Sequence, residues 1–180
     1  ITNPFFSQIF METEKIALKF GYTVFLCNSM NNLETESMFL NTLTEKQVDG
    51  IIFMGGRVNR SDINNNQSVI DEMKLVSSKV PLIMINGVMD EVDCYKVNSN
   101  EAEGFREAIQ YLDALGHKKI GLFGGIKGIT STDVKLEVFY KAIKEMNLIT
   151  KDSWVVQDEF SIVSGKKVME TVLNSNDLPT

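Results

Sequence analysis

A glycine-rich turn, Phe123-Gly124-Gly125-Ile126-Lys127-Gly128, is the first segment whose residue types could do chemistry. Backbone N–H groups in such a turn can bind phosphate when a helix follows. The glycine spacing fails to match the dinucleotide fingerprint, and the chain has no Gly-Lys-Ser or Gly-Lys-Thr for a nucleoside triphosphate. We therefore predict that this turn lines a ligand cleft at the ends of strands, where open α/β sheets bind their ligands.

His117 is the only histidine, and no spaced cysteine pair accompanies it. A zinc site or a catalytic triad needs such partners, so we interpret His117 as a structural or surface residue and predict no metal site. Acidic residues on predicted helix faces or helix starts are explained by solvation and by the helix dipole. They are Glu34, Glu36, Asp71, Glu72, Glu101 and Glu103. Because no nucleophile, metal set or acid–base pair converges, the sequence predicts a protein that is not an enzyme and uses no cofactor.

Two aromatic rings and small polar groups stand together in Asn3-Pro4-Phe5-Phe6-Ser7, at the start of a predicted helix. Such a group of side chains can stack on a planar or sugar ligand. The alternative is that the rings are core residues of an amphipathic helix. This alternative applies more to Phe6 than to Phe5.

The composition excludes several classes of protein. With 24 acidic and 18 basic residues, the net charge is −6, and the scattered lysines form no basic stripe for nucleic acid. No apolar run approaches the roughly 20 residues that span a bilayer. Cys27 and Cys94 lie in apolar or strand-like runs, which favours buried free thiols in a reducing compartment. These features indicate a soluble, cytoplasmic globular protein that does not itself bind DNA or membranes.

Helices and strands alternate along the chain, so the sequence predicts parallel sheets covered on both faces by helices. In the first half, apolar spacing predicts a helix from Asn3-Pro4 to Gly21, with a strand buried on both faces over Tyr22–Cys27. The second helix, Leu33–Lys46, is predicted to turn Leu33, Leu40 and Leu43 inward and Glu36 outward. The other elements predicted in this half are strand 51–54, a polar loop over 55–66, helix 67–78, strand 81–85 and a short strand 94–97.

The same alternation restarts near Val97 to Asn100, which indicates two similar lobes, residues 1–98 and 99–180. The second lobe is predicted to contain a helix from residue 102 that ends at Gly116, strand 119–123, helix 136–146, strand 154–156 and a last helix capped by Ser161 or Ser164. A parallel sheet needs a strand on both sides of each helix. We therefore expect a piece of a longer protein, cut at both ends.

Several segments, taken in order, resemble the lactose-repressor (LacI) family of bacterial transcription regulators. They are Asn3-Pro-Phe-Phe6, Gly21-Tyr22, the run Asn28 to Glu34, Lys46-Gln-Val-Asp-Gly-Ile-Ile52, Pro81-Leu-Ile-Met-Ile85, Leu115-Gly-His-Lys-Lys-Ile120, Phe123-Gly-Gly125, Phe160 to Gly165 and Pro179-Thr180. The similarity covers nearly the whole chain. Lys46 to Gly56 resembles the catabolite control branch, and Trp154 to Gly165 resembles the purine repressor branch.

The resemblance implies a type I periplasmic-binding-protein-like fold of two doubly wound parallel-sheet lobes joined by a hinge. In the family, a small-molecule effector such as a sugar sits between the lobes and biases their closure. A helix-turn-helix domain, absent from this chain, binds operator DNA in a homodimer. The catabolite control branch adds a phosphoprotein co-repressor as a candidate partner. The alternative is the sugar-binding protein of an ABC-type transport system, which shares this fold.

Six ligand-binding residues follow from the resemblance: Phe5, Phe6, Asn86, Ser131, Lys135 and Phe160. Phe5 and Phe6 match residues that line the cleft, and Phe160 matches a stacking aromatic. Asn86 stands where the family often has an aspartate, and Ser131 where it often has a hydroxyl. Lys135 replaces the usual arginine, so it keeps the charge but loses the planar fork. The purine branch has a further arginine at the position of Ile129, and its absence here argues against a purine effector.

Overall fold

The structure of the protein, a computed structural model, describes residues 4–175 and 177–180. The chain divides into two units. One comprises Ile1–Asn59 and Ile63–Asn98, and the other comprises Arg60–Asp62 and Ser99–Thr180. That these units are two lobes of one effector-binding core, with a boundary after residue 98, stays a proposal.

The first unit is a parallel sheet with helices. Its helices are α1 (Pro4–Lys19), α2 (Leu33–Glu45) and α3 (Gln67–Ser77), and its strands are β1 (Ile51–Met54), β2 (Leu82–Ile85) and β3 (Tyr95–Val97). The strands lie in the order β1-β2-β3, and Ile51 pairs with Leu82 while Ile83 pairs with Tyr95. Two short 3₁₀ turns, Gly56–Asn59 and Ile63–Asn65, occupy the segment that was predicted as a polar loop.

Capping and periodicity explain the helices of this unit. The side chains of Asn32 and Asn66 accept hydrogen bonds from backbone N–H groups in the first turns of α2 and α3, and so satisfy donors that a helix start leaves unpaired. α3 buries its stripe of apolar residues in the same core cluster as Leu82 and Met84 of β2. The stripe is Val69, Ile70, Met73 and Val76. The predicted helices and strands over residues 33–97 are confirmed, with small shifts at their ends.

The predicted strand over Tyr22–Cys27 is wrong. This segment is assigned to no strand, and Phe25 is 73% exposed. An apolar run forms a strand buried on both faces only where a neighbouring strand and covering helices receive it, and none of the described strands pairs with this segment. Cys27 is consequently exposed instead of buried, whereas Cys94 is partly buried; both thiols are free.

The second unit alternates helices with short strands. Its helices are α4 (Glu101–Ala114), α5 (Thr130–Glu145) and α6 (Ile162–Leu173), its strands are β4 (Leu122–Phe123) and β5 (Val155–Val156), and Asp152–Trp154 is a 3₁₀ turn. β4 and β5 are parallel, so that Leu122 pairs with Val155. Only the end of the predicted strand 119–123 is a strand, with an isolated bridge from Lys119 to Ile149. Of the two predicted caps of α6, Ser161 accepts the backbone N–H of Ser164.

The core of this unit lies between α4 and α5 and includes Ile109, Phe139 and Ile143. The last described residues are fixed beside Trp154, which is 1% exposed and donates from Nε1 to the carbonyl oxygen of Asp177 at 3.0 Å. The Asp177 carboxylate in turn pairs with Lys119 and Lys151. None of the helices within residues 4–175 and 177–180 combines the length and apolar character that crossing a membrane requires.

Candidate functional site

In the first unit, the rings of Phe5 and Phe6 lie near the carboxyl end of β1. The ring of Phe6 lies against Gly55, which directly follows β1: a Cβ atom on this glycine would stand 3.2 Å from Phe6 Cζ. Phe5 is 43% exposed and meets Phe6 edge to face, with ring centroids 5.2 Å apart. Both rings therefore lie near the sheet edge where open α/β folds bind ligands.

Asn86 directly follows β2 and has a positive φ of 51°. Asparagine tolerates this left-handed conformation better than most residues. Its backbone N–H donates to the carbonyl oxygen of Val97 at 3.0 Å, and the adjacent Gly87 is packed so closely that a Cβ atom would meet Val58 at 2.8 Å. The turn is therefore held in one conformation, with Asn86 at the same sheet edge as Gly55.

In the second unit, Ser131 and Lys135 lie one turn apart at the start of α5, and the spacing of four residues puts them on one face. Lys135 Nζ is 3.1 Å from Oε2 of Glu101, the first residue of α4. Glu101, predicted as a solvated acid at a helix start, is thus an ion-pair partner of a predicted ligand contact.

Phe160 is 56% exposed and borders a cavity of about 200 Å³ at the carboxyl ends of β4 and β5. Gly124, directly after β4, and Ser164, in the first turn of α6, also line this cavity. Ser131 and Lys135 are not among the residues that line it. A second cavity of about 230 Å³, lined by residues such as Ile120 and Leu178, contains none of the six predicted contacts.

Asp158 precedes two residues that line this cavity, Glu159 and Phe160. The pKa of Asp158 lies below its ordinary value because the backbone N–H of Glu159 donates to its carboxylate at 2.8 Å and Lys167 Nζ approaches to 3.3 Å. Asp158 also forms a bridge with Gly125. At neutral pH, the Asp158 carboxylate is therefore ionised and can accept hydrogen bonds. It lies two residues before Phe160.

The predicted glycine-rich turn has the conformation that its glycines allow. Gly124, Gly125 and Gly128 all have positive φ. At Gly125, a Cβ atom would stand 2.7 Å from Cγ2 of Thr132, whose hydroxyl oxygen accepts the backbone N–H of Ile126 at 3.1 Å. Gly124 lines the cavity beside Phe160, whereas the side chain of Thr132 is buried under the turn. Gly124 thus contributes to the wall of this cavity.

A short segment after β1 also belongs to the second unit. The N–H of Ser61 donates to the carbonyl oxygen of Gly128 at 3.0 Å, and its hydroxyl donates to the carboxylate of Asp133. Arg60 forms an antiparallel bridge with Ile129, the residue before α5. These residues follow no helical or strand periodicity, so their sequence does not predict these contacts.

The first unit also contains a buried ionic cluster that was not predicted from the sequence. Arg57 is 0% exposed and donates from Nε to Oε2 of Glu36 at 2.8 Å, while Glu36, predicted to face outward, is 2% exposed. Arg57 also donates to Glu72, to the hydroxyl of Ser37 and to the carbonyl oxygen of Leu33. A signal existed, because Leu33, Glu36, Leu40 and Leu43 follow one another at helical steps of three and four.

His117 is partly buried, and its backbone N–H donates to the carbonyl oxygen of Leu112 at 3.1 Å. Within residues 4–175 and 177–180, no group of three or more histidine, cysteine, aspartate or glutamate side chains is arranged to hold a metal ion. The six candidate contacts supply three aromatic rings, the amide of Asn86, the hydroxyl of Ser131 and the ion-paired ammonium group of Lys135.

The whole chain, residues 1–180, matches the model of the family described as periplasmic binding proteins and sugar binding domain of LacI family. A curated relative, the HTH-type transcriptional repressor PurR of Aliivibrio salmonicida, is 30% identical over 178 residues, which are 99% of this chain and 51% of the relative. The chain therefore spans about half the length of the curated relatives it matches.

Solved structures show the same fold. The transcription regulator CcpA of Lactococcus lactis superposes with a TM-score of 0.77 at 24% identity, over 96% of this chain and 60% of that one. A LacI family transcriptional regulator from Lactobacillus casei, solved with bound sucrose, has a TM-score of 0.77 at 19% identity, over 97% and 61% of the two chains. The fold is thus periplasmic-binding-protein-like, as predicted from the resemblance. With the family model matching the full sequence, the chain belongs to the family of periplasmic binding proteins and LacI-type sugar-binding domains.

Proposed function

We propose that the chain is the effector-binding core of a LacI-type bacterial transcription regulator. It binds a sugar or a related small metabolite and thereby controls the DNA affinity of a helix-turn-helix domain elsewhere in the full-length protein. The observation that carries the small-molecule part is the position of Phe6, Asn86 and Phe160 at the carboxyl ends of parallel strands. The similarity to a repressor over 99% of the chain supports the regulatory part.

The proposed effector contacts are Phe5, Phe6, Asn86, Ser131, Lys135 and Phe160. The aromatic rings would stack on the apolar face of a sugar ring, and the amide, hydroxyl and ammonium groups would bind its hydroxyls. A purine is a poorer candidate, because Ile129 stands where the purine branch of the family has an arginine. The description of the family as a sugar binding domain supports the same choice.

The proposal extends to the whole regulator. We propose a cytoplasmic homodimer that contacts operator DNA only through the helix-turn-helix domain, with a phosphoprotein co-repressor as a further candidate partner. A transport protein that binds sugar shares the fold, but the curated relatives are transcriptional repressors, which favours regulation. The two functions differ in one measurement: the regulator's affinity for operator DNA changes when the sugar is added, whereas a transport protein has no operator.

The proposal is tested by a thermal-shift screen of the full-length protein against sugars, sugar phosphates, nucleosides and purine bases. A ligand that binds only the folded state at about 100 times its Kd stabilises it by about 2.7 kcal/mol. We expect a sugar to raise the melting temperature, and Phe160→Ala to weaken its binding by about 2- to 12-fold through lost stacking.

Ile162→Ala is the matched control, because Ile162 is an apolar residue two positions from Phe160 and is 82% exposed. This variant should bind the sugar like the wild type. If neither Phe160→Ala nor Asn86→Ala changes the affinity, the proposed contacts are wrong. If no member of the panel binds the folded protein, the proposed function is rejected.

A further inference from the structure

The ion pair between Lys135 and Glu101 joins the starts of two packed helices. Lys135 is in the second turn of α5, and Glu101 begins α4 after the capping residue Asn100. The two side chains are 36% and 28% exposed, so the pair is partly shielded from water. The resemblance to LacI regulators implies that Lys135 is the cationic ligand contact. Under the proposed function, its ion-pair partner Glu101 would then lie beside the ligand.

The Glu101 carboxylate depends on this lysine. Its Oε2 atom is inaccessible to solvent and accepts no well-directed hydrogen bond from the described residues, and the ammonium group of Lys135 lies 3.1 Å away as its ion-pair partner. A shielded carboxylate that loses its counter-charge keeps the cost of desolvation without compensation. Moving Lys135 away from Glu101 is therefore unfavourable.

We infer that Glu101 is a specificity-determining residue of the effector site, which selects uncharged, hydroxyl-bearing ligands over anionic ones. The inference rests on the proposed function, in which Lys135 contacts the effector. With Glu101 beside it, the pair carries no net charge. A phosphate or carboxylate at this position would have to compete with Glu101 for the ammonium group and would lie close to a like charge.

The chemistry of lysine suits a neutral ligand held by both members of the pair. An ammonium group has three donors, so Lys135 can remain paired with Glu101 and still donate to a ligand hydroxyl. A hydroxyl can also donate to the carboxylate, which an anion cannot do. Arg60, whose backbone pairs with Ile129 just before α5, is likewise held by a carboxylate, with two contacts to Asp62 at 2.9 and 2.8 Å.

The test compares matched neutral and anionic probes on the full-length protein by isothermal titration calorimetry. The probes are D-ribose with D-ribose 5-phosphate, and D-glucose with D-glucose 6-phosphate and D-gluconate. We expect the wild type to bind the neutral member of a pair at least about 10-fold more tightly than its anionic counterpart. In Glu101→Gln, which keeps the shape and removes the charge, this preference should fall by about 10-fold or reverse.

Glu103→Gln is the matched control, because it removes the same charge from an exposed side chain in the same turn of α4. It should leave the preference unchanged. A second variant, Lys135→Gln, removes the cation instead and should weaken anion binding further, so the two variants move selectivity in opposite directions. This second test holds even if Glu101→Gln folds poorly.

The outcomes separate the two proposals. Tighter binding of an anionic probe by the wild type, or an unchanged preference in folded Glu101→Gln, overturns the role of Glu101 while sugar binding keeps the proposed function. If none of the five probes binds and the broader screen also finds no ligand, the proposed function fails, and the inference fails with it.

Discussion

Replacing Arg57 with methionine removes the centre of the buried ionic cluster in the first unit. Methionine keeps most of the length and the apolar stem but none of the donors. The change leaves the carboxylate of Glu36, 2% exposed, without the guanidinium group 2.8 Å away. It also takes a donor from Glu72, whose side chain is 23% exposed and can still reach water. Most of the destabilisation should therefore come from the unpaired carboxylate of Glu36.

The expected cost follows from that burial. Removing one partner of a buried ion pair typically destabilises a protein by about 3–5 kcal/mol, because an uncompensated charge stays buried. With a urea m-value of about 2 kcal/mol per molar, the unfolding midpoint should fall by roughly 2 M. Adding Glu36→Leu to the same variant removes the stranded charge, so the double variant should be more stable than Arg57→Met alone.

The assay is urea unfolding followed by circular dichroism, with hydrogen exchange at the amides of α3 and β2 to locate the loss. Arg60→Met is the control, because the Arg60–Asp62 pair is 46% and 63% exposed and its removal should cost only about 0–1 kcal/mol. A loss below about 1 kcal/mol for Arg57→Met, or a double variant less stable than the single one, would refute the reasoning.

Two further changes test the packing and the electrostatics. Gly56 has a φ of +58°, and a Cβ there would lie 1.9 Å from Glu36 Oε1, so Gly56→Ala should lower the free energy of unfolding by at least about 2 kcal/mol. Gly104→Ala, in open space on α4, should raise it by about 0.5–1 kcal/mol. Equal effects in urea unfolding would contradict this. The pKa of Asp177 lies below its ordinary value because of hydrogen bonds first from Lys119 and then from Lys151. That stability is present above the unfolded pKa of about 4 and is lost as the pH falls through the lower folded pKa. Asp177→Asn should therefore flatten the fall in melting temperature below about pH 4, and an unchanged profile would contradict the assignment.

Much of the fold could be predicted because the apolar spacing that marks an amphipathic helix lies within the helix's own sequence. The stripes of α3 and α5 repeat every three or four residues, and each packs against a core of its own unit. The formation of a strand depends more on residues elsewhere in the chain. The predicted strand 119–123 narrows to Leu122–Phe123, since only two residues of β5 pair with it. Tyr22–Cys27 forms no strand at all, because a strand's stability comes from partners that its own sequence does not encode.

Part of the candidate site could likewise be predicted from the sequence, and part could not. The positions of Phe6, Asn86 and Phe160 next to strand ends follow from chain order, since the carboxyl ends of parallel strands share one edge. The ion-pair partners of charged residues do not follow from chain order. Glu36 pairs with Arg57, 21 residues further along the chain, and Glu101 pairs with Lys135, 34 residues further along. Both acids were interpreted as solvated, yet Glu36 is 2% exposed and the side chain of Glu101 is 28% exposed. A carboxylate removed from water is stabilised by a nearby cation, and each of these two has one. Under the proposal that Lys135 contacts the effector, the ion pair with Glu101 bears on ligand selectivity as well as on stability.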